Sequence, residues 1–290
     1  MLRESDVLLI GGDKRSVGLA ERLSEVGLML SAWQLPGAEE VKGLTVTDDW
    51  RQALSLCRAV VLPMPAFDSG LRVCKTGAHT LSAEALFEAV GGRLPVFGGR
   101  LSGQVLALAE TCGVRAYDYS VGESVQIRNA ALTAEGAIFL AMQGLESTIA
   151  GTKMAVLGYG RIGEALSKRL QALGAVVSVG ARKETDLVRI QLQGAQAMDL
   201  VSRDWTAALT SGELAVVFNT VPHQLIDDDL LSRIPSSVLL IELASAPGGW
   251  NESKTHVCRT VAAPGLPGVY APKTAGALLA DEIIKIWRGV

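Results

Sequence analysis

Gly158-Tyr159-Gly160-Arg161-Ile162-Gly163 follows the apolar run Met154-Ala155-Val156-Leu157 and opens a stretch in which Ile162, Ala165, Leu166, Leu170 and Leu173 recur at helical spacing. A Gly-x-Gly-x-x-Gly string alone is weak, because glycines serve any tight strand-to-helix turn. Its setting between an apolar strand and an amphipathic helix makes it specific. The first glycine permits the turn, the second lets a pyrophosphate approach the backbone, and the third lets helix and strand pack closely. The helix N-terminus offers its amides and partial positive charge to phosphate. The chemistry expected here is dinucleotide binding in a Rossmann unit.

The end of the next strand bears on which dinucleotide. NAD sites usually place Asp or Glu there for the ribose 2′-hydroxyl, but Val177-Ser178-Val179-Gly180-Ala181-Arg182-Lys183 offers no acid before Glu184. We expect NADP in preference to NAD, with Arg182 forked onto the 2′-phosphate, Lys183 adding charge and Ala181 beside them. Two solvated basic residues after a strand is the competing reading. Three further loops follow apolar strands and are expected at the same sheet edge. They are Asn219-Thr220-Val221-Pro222, Glu242 to Gly249, and Pro264-Gly265-Leu266-Pro267-Gly268. Thr220, Val221, Pro222, Ala244 and Pro267 are their candidate cofactor contacts, although ordinary loop chemistry accounts for such residues nearly as well.

The pattern occurs twice. Val7-Leu8-Leu9-Ile10 runs into Gly11-Gly12, and Val17, Ala20, Leu23 and Val26 then recur at helical spacing up to Gly27. Laid on this segment without a gap, Gly158 falls on Gly11, Leu166 on Leu19, Leu170 on Leu23 and Gly174 on Gly27. The deciding position differs: Asp13 stands in the slot of Gly160 and Ser16 in that of Gly163. A carboxylate there repels pyrophosphate, so the first domain should bind something else. Asp13 and Arg15 stand where open α/β sheets hold ligands, and a helix N-cap role for Asp13 is equally consistent.

Strands expected at 28–33, 59–62 and 95–97 complete a first sheet of four or five parallel strands. Those at 176–179, 214–219, 238–243 and 257–262 extend the second. The fold class is α/β, two Rossmann-like doubly wound parallel-sheet domains joined by a long helix at 124–145. Residues 1–125 form a substrate or catalytic domain and 126–274 an NADP-binding domain. A closing helix at 275–290 crosses back onto the first.

Composition excludes other classes. The chain has 290 residues, 49% hydrophobic and 20% charged, enough apolar material for two cores. A net charge of -3 without a Lys/Arg run argues against nucleic acid as a partner. No apolar run reaches the roughly 20 residues of a membrane span, so none is expected. Cys57, Cys74, Cys112 and Cys258 are too scattered for a metal motif and read as reduced thiols of a cytoplasmic protein.

With these motifs placed, the chain resembles the A subunits of dipicolinate synthase from end to end. The resemblance rests on Gly11-Gly12-Asp13 with Arg15, Thr133-Ala134-Glu135-Gly136, Val156 to Arg161, Gly180-Ala181-Arg182, and Ala263-Pro264-Gly265-Leu266-Pro267-Gly268 leading into Ala271-Pro272-Lys273-Thr274-Ala275-Gly276. It implies an enzyme in the mother cell of a spore former, working with a flavoprotein-like B subunit on a small dicarboxylate; a homo-oligomer is expected besides. Loss of water from 4-hydroxytetrahydrodipicolinate and hydride transfer to NADP would give dipicolinate. On this reading Asp13, Arg15, Lys273 and Thr274 serve the substrate, which lies between Gly12-Asp13-Arg15 and a loop at 267–275. Glu135 assists proton removal, or only solvates its helix. A 2-hydroxyacid dehydrogenase is the enzymatic alternative, but it needs an acid-base histidine. None of His79, His223 and His256 falls within 264–276. A cofactor-holding regulatory protein is the non-enzymatic alternative.

Overall fold

The computed structural model describes residues 4–74, 76, 79–251 and 258–289. The chain divides into two compact units, Met1–Arg128 with Ala271–Val290, and Asn129–Tyr270. The first contains β1 (Val7–Ile10), α1 (Lys14–Glu25), β2 (Leu30–Trp33), β3 (Thr45–Val46), α2 (Trp50–Ser55), β4 (Ala59–Val61), α3 (Ala83–Val90), β5 (Pro95–Gly98), α4 (Gly103–Thr111) and β6 (Arg115–Asp118). Helix α5 (Glu123–Gly144) carries the chain into the second unit. There follow β7 (Lys153–Leu157), α6 (Arg161–Ala172), β8 (Val176–Ala181), α7 (Glu184–Leu192), β9 (Gln196–Asp199), α8 (Trp205–Thr210), β10 (Val216–Asn219), α9 (Asp228–Arg233), β11 (Leu239–Glu242), β12 (Arg259–Ala262) and α10 (Leu266–Tyr270). Helix α11 (Pro272–Arg288) returns to the first unit.

Each unit is built on a six-stranded sheet, ordered β3-β2-β1-β4-β5-β6 in the first and β12-β11-β10-β7-β8-β9 in the second. All pairings are parallel, and both orders reverse beside the first strand of their unit. This is the doubly wound arrangement, with the reversal leaving a crevice at the carboxyl ends of the strands. The central strands are apolar on both faces because helices cover both, so Val7–Ile10 and Met154–Leu157 are wholly buried.

Three edge strands escaped the sequence reading, and the first sheet has six strands where four or five were expected. β3 is two exposed residues, while β6 and β9 begin and end on polar side chains. An edge strand pairs on one side only and carries no apolar run for periodicity to detect. For the strand expected at 257–262, Val257 lies outside the described residues and β12 begins at Arg259.

The 267–275 segment is not a loop. It comprises α10, the single residue Ala271, and the first turn of α11, with Pro272 at the helix start where a missing amide costs nothing. Lys273 and Thr274 therefore belong to the first unit, not the second. Helix α11 crosses α1 with two glycines at the contact. A Cβ on Gly18 would stand 2.8 Å from Lys273 Cα, and one on Gly276 would run into the Arg15 carbonyl and the Leu19 amide, 2.7 Å from the Gly18 carbonyl carbon. Beyond the crossing, Leu278, Leu279 and Ile283 pack with Leu19 and Leu23 in one buried cluster.

Gly276→Ala should destabilise the first unit. The gain in helix propensity is about 1 kcal/mol, but the clash is with backbone and forces the helices apart at a cost of about 3 kcal/mol or more. Urea unfolding should show a lower midpoint with an unchanged slope. An unchanged or raised midpoint refutes the tight crossing.

Candidate functional site

The glycine loop joins β7 to α6 at the reversal point of the second sheet, where β10 lies alongside β7. Two of its three glycines are required by the protein's own geometry. Gly158 has φ +102°, and a Cβ there would collide with the Thr220 hydroxyl and stand 2.8 Å from Val221 Cγ2. A Cβ on Gly163 would run into the Gly158 carbonyl. Turn geometry and packing thus demand both. Gly160 differs: its φ is -85°, which any residue adopts, and a Cβ there meets no atom within 4 Å. Among the described residues nothing requires a glycine at that point. Gly160 is the N-cap of α6, and no side-chain cap is present there among the described residues. These features fit the pyrophosphate of a dinucleotide.

The matching loop of the first unit is closed. Asp13 caps α1 by accepting from the Arg15 amide at 2.9 Å, so the cap reading of Asp13 holds. The Arg15 guanidinium lies against the same carboxylate, with Nε 3.2 Å from both oxygens and Nη2 2.9 Å from Oδ2. Nη2 also donates to the Met64 carbonyl at 2.6 Å. Fixed from two sides, the guanidinium keeps Nη1 without a hydrogen bond among the described residues. A buried tyrosine that the sequence reading missed, Tyr119, donates its hydroxyl to the Leu62 carbonyl at 2.9 Å, and burial pushes its phenol up.

Arg182 and Lys183 follow the buried Ala181 at the end of β8 and are exposed; among the described residues neither enters an ion pair. Several candidate contacts use their side chains in bonds within the protein. Tyr159 turns its hydroxyl onto Gln193 Oε1 at 2.9 Å, and burial raises its pKa. The Thr220 hydroxyl donates to the Leu157 carbonyl at 2.9 Å, under the glycine loop. Ile162 packs into the apolar core of its unit, whereas Arg161 stays exposed. Of the rim residues, Val221 is half-buried and Pro222 exposed. Ala244 is half-buried too, and Pro267 lies buried within α10.

Glu135 does not stand at the loop. It is 61% exposed on α5, and its carboxylate lies 3.7 Å from Arg169 in the last turn of α6. That is two turns, or about 12 Å, along α6 from its N-terminus. Lys273 is 79% exposed, with Nζ 3.4 Å from Glu21 on α1, and Thr274 beside it is exposed.

The sequence reading named Asn219 and Glu242 only as loop boundaries. They sit opposite one another in register at the ends of β10 and β11, both buried. Asn219 Nδ2 donates to Glu242 Oε1 at 2.8 Å and to the Val221 carbonyl at 2.9 Å, and its Oδ1 accepts from the Val221 amide at 3.1 Å. Glu242 also accepts from the amides of Ala244 at 2.9 Å and Gly249 at 2.6 Å.

The two doubly wound sheets and the glycine loop define a protein of the two-domain dehydrogenase architecture, with a dehydrogenase-type dinucleotide domain second in the chain. Residues 126–248 match the family of D-isomer specific 2-hydroxyacid dehydrogenase NAD binding domains. Residues 6–120 match the family of N-terminal domains of dipicolinate synthase A subunits. The sequence is 36% identical over 168 residues to the dipicolinate synthase A subunit of Bacillus subtilis, taking in 57% of this chain and 54% of that relative, about half its length. The crystal structure of the dipicolinate synthase A subunit from Bacillus halodurans superposes with a TM-score of 0.86 at 29% identity, covering 99% of this chain and 98% of that one. That of its counterpart from Bacillus subtilis gives 0.83 at 26%, covering 100% and 97%. The resemblance read from the sequence motifs is borne out. Among the described residues no helix is long and apolar enough to cross a membrane.

Proposed function

We propose that this chain is the NADP-binding A subunit of a dipicolinate synthase, oxidising a dihydrodipicolinate formed from 4-hydroxytetrahydrodipicolinate. The observation that carries the cofactor reading is the space at Gly160, which the protein's own packing does not require. The loop Gly158–Gly163 and the first amides of α6 hold the pyrophosphate. Arg182 and Lys183, exposed and outside any ion pair among the described residues, hold the 2′-phosphate. NADP, when bound, would accept a hydride from the ring while the second hydrogen leaves as a proton to solvent, and aromatisation favours the loss of both.

In the first unit, Arg15 receives a substrate carboxylate through Nη1, with Asp13 and the Met64 carbonyl fixing the guanidinium. Lys273 and Thr274 drop out of this reading, and so does Glu135. The reading further places the chain in a homo-oligomer that works with a flavoprotein-like B subunit in the cytoplasm of a sporulating mother cell. The relatives' designation as A subunits supports the partner.

Titration with both cofactors tests the specificity. Charge-assisted hydrogen bonds to the 2′-phosphate should favour NADP by about 10-fold to 100-fold, and Arg182→Ala should remove most of that preference. An unchanged NADP/NAD ratio in the variant shows that Arg182 is a solvated bystander. The activity is tested by absorbance with freshly generated substrate and NADP, with and without the B subunit. No product in either case refutes the proposed reaction.

A further inference from the structure

We infer that Glu242 is a positioning residue whose buried carboxylate ties the turn Ala244–Gly249 to the end of β10, forming one rigid rim beside the glycine loop. The inference rests on the reading that this loop takes a dinucleotide. A buried carboxylate needs hydrogen-bond donors to offset the loss of its hydration. Glu242 finds them on two strands' worth of loop: the side chain of Asn219, at the end of β10, and the amides of Ala244 and Gly249, at the two ends of the turn that follows β11. One side chain thereby closes the turn on itself and anchors it to the neighbouring strand.

The fit around this pair leaves little room. A Cβ on Gly249 would run into Asn219 Nδ2 and stand 2.7 Å from its Cγ. Gly248, at φ +82°, would place a Cβ 3.1 Å from Glu242 Oε2. The Gly249 carbonyl accepts from the amides of Leu225 and Ile226, both at 2.9 Å, so the turn is also tied to the segment beyond β10. The connection reaches the glycine loop through residues already in contact. Asn219 holds both the amide and the carbonyl of Val221, and Val221 and Thr220 form the wall that Gly158 lies against. Without the carboxylate, the turn and the β10 end lose their common anchor, and the wall of the loop is free to shift.

The test compares Glu242→Gln and Glu242→Asp with the parent. Glutamine keeps the shape but turns an amide nitrogen toward N–H donors, whereas aspartate keeps an acceptor on both oxygens. Amide hydrogen exchange of the cofactor-free chain should be about 10-fold or more faster at Ala244 and Gly249 in Glu242→Gln, with β7 and β8 still protected. NADP should bind about 10-fold or more weakly. Glu242→Asp should recover part of both. Unchanged exchange in Glu242→Gln overturns the tie, and faster exchange with unchanged NADP affinity overturns its role as a rim of the cofactor site. If Glu242→Gln does not fold, Asn219→Ala, which removes the donor from the other strand, carries the same two expectations. A parent that binds neither NADP nor NAD refutes the dinucleotide reading itself, while the exchange measurement still decides the tie.

Discussion

Gly160→Asp is expected to abolish dinucleotide binding while leaving the fold intact. The substitution copies into the second unit the residue that the first unit carries at the matching position. Asp13 shows what it does there: it caps its helix and occupies the first-turn amide that an anion would need. At Gly160 the backbone is already extended, with φ -85° and ψ -165°, and nothing lies within 4 Å of the new Cβ. Asp is also a favoured N-cap and exceeds Gly there by a few tenths of a kcal/mol, so the melting temperature should hold or rise slightly. Binding fails for two reasons. The side chain fills the approach to the backbone, and each phosphate charge about 4 Å from the carboxylate adds roughly 1 to 4 kcal/mol of repulsion. Together these predict a loss of NADP affinity of about 1,000-fold or more. Calorimetric titration beside thermal melting separates the effects. Binding within about threefold of the parent's would show that no pyrophosphate lies over Gly160.

Arg15→Met is expected to remove turnover and spare cofactor affinity. The guanidinium is 12% exposed and already oriented by Asp13 and the Met64 carbonyl, so little rotamer freedom remains to be lost on binding a carboxylate. Losing one or two charge-assisted hydrogen bonds to substrate should lower kcat/KM by roughly 100-fold. A stability loss of about 1 to 3 kcal/mol should accompany it, because Asp13 keeps its cap but loses the Arg15 guanidinium. Asp13→Asn is the companion variant: asparagine still caps the helix, so folding should hold while the loosened guanidinium lowers turnover. The assay requires substrate, NADP and the B subunit together, with NADP affinity measured separately. If Arg15→Met turns over at the parent's rate, the guanidinium serves only to clamp α1 to the Met64 carbonyl.

The glycine loop was legible because each glycine answers a separate physical demand, and the strand and helix on either side announce themselves by apolar spacing. The strands β1, β4, β7, β10 and β11 were legible for the same reason: buried on both faces, they leave continuous apolar runs. The pair Asn219 and Glu242 left no such trace. Its members are 23 residues apart, and a polar residue closing an apolar strand looks like the start of a loop. Two strings that carried the family resemblance, and that held the candidates Glu135, Lys273 and Thr274, contain residues with packing roles. In Thr133-Ala134-Glu135-Gly136, Ala134 is wholly buried and a Cβ on Gly136 would stand 3.0 Å from Leu266 Cβ on α10. In Pro272 to Gly276 the final glycine is the crossing point on α1. A string can thus be distinctive of a family because two helix backbones touch there.

The return of α11 to the first unit has a consequence for the order in which the chain is made. Residues up to Arg128 leave the ribosome before the second unit, yet their sheet is missing a helix until α11 emerges, after the whole of the second unit. Until then Leu19 and Leu23 of α1 lack the partners Leu279 and Ile283 that complete their cluster. The second unit is contiguous in sequence and closes as soon as it is synthesised. The first must wait with an apolar helix face uncovered, and it closes through contacts of very long sequence separation, which form slowly. During synthesis the amino-terminal half is therefore the part that most needs a chaperone, and it reaches its native state last.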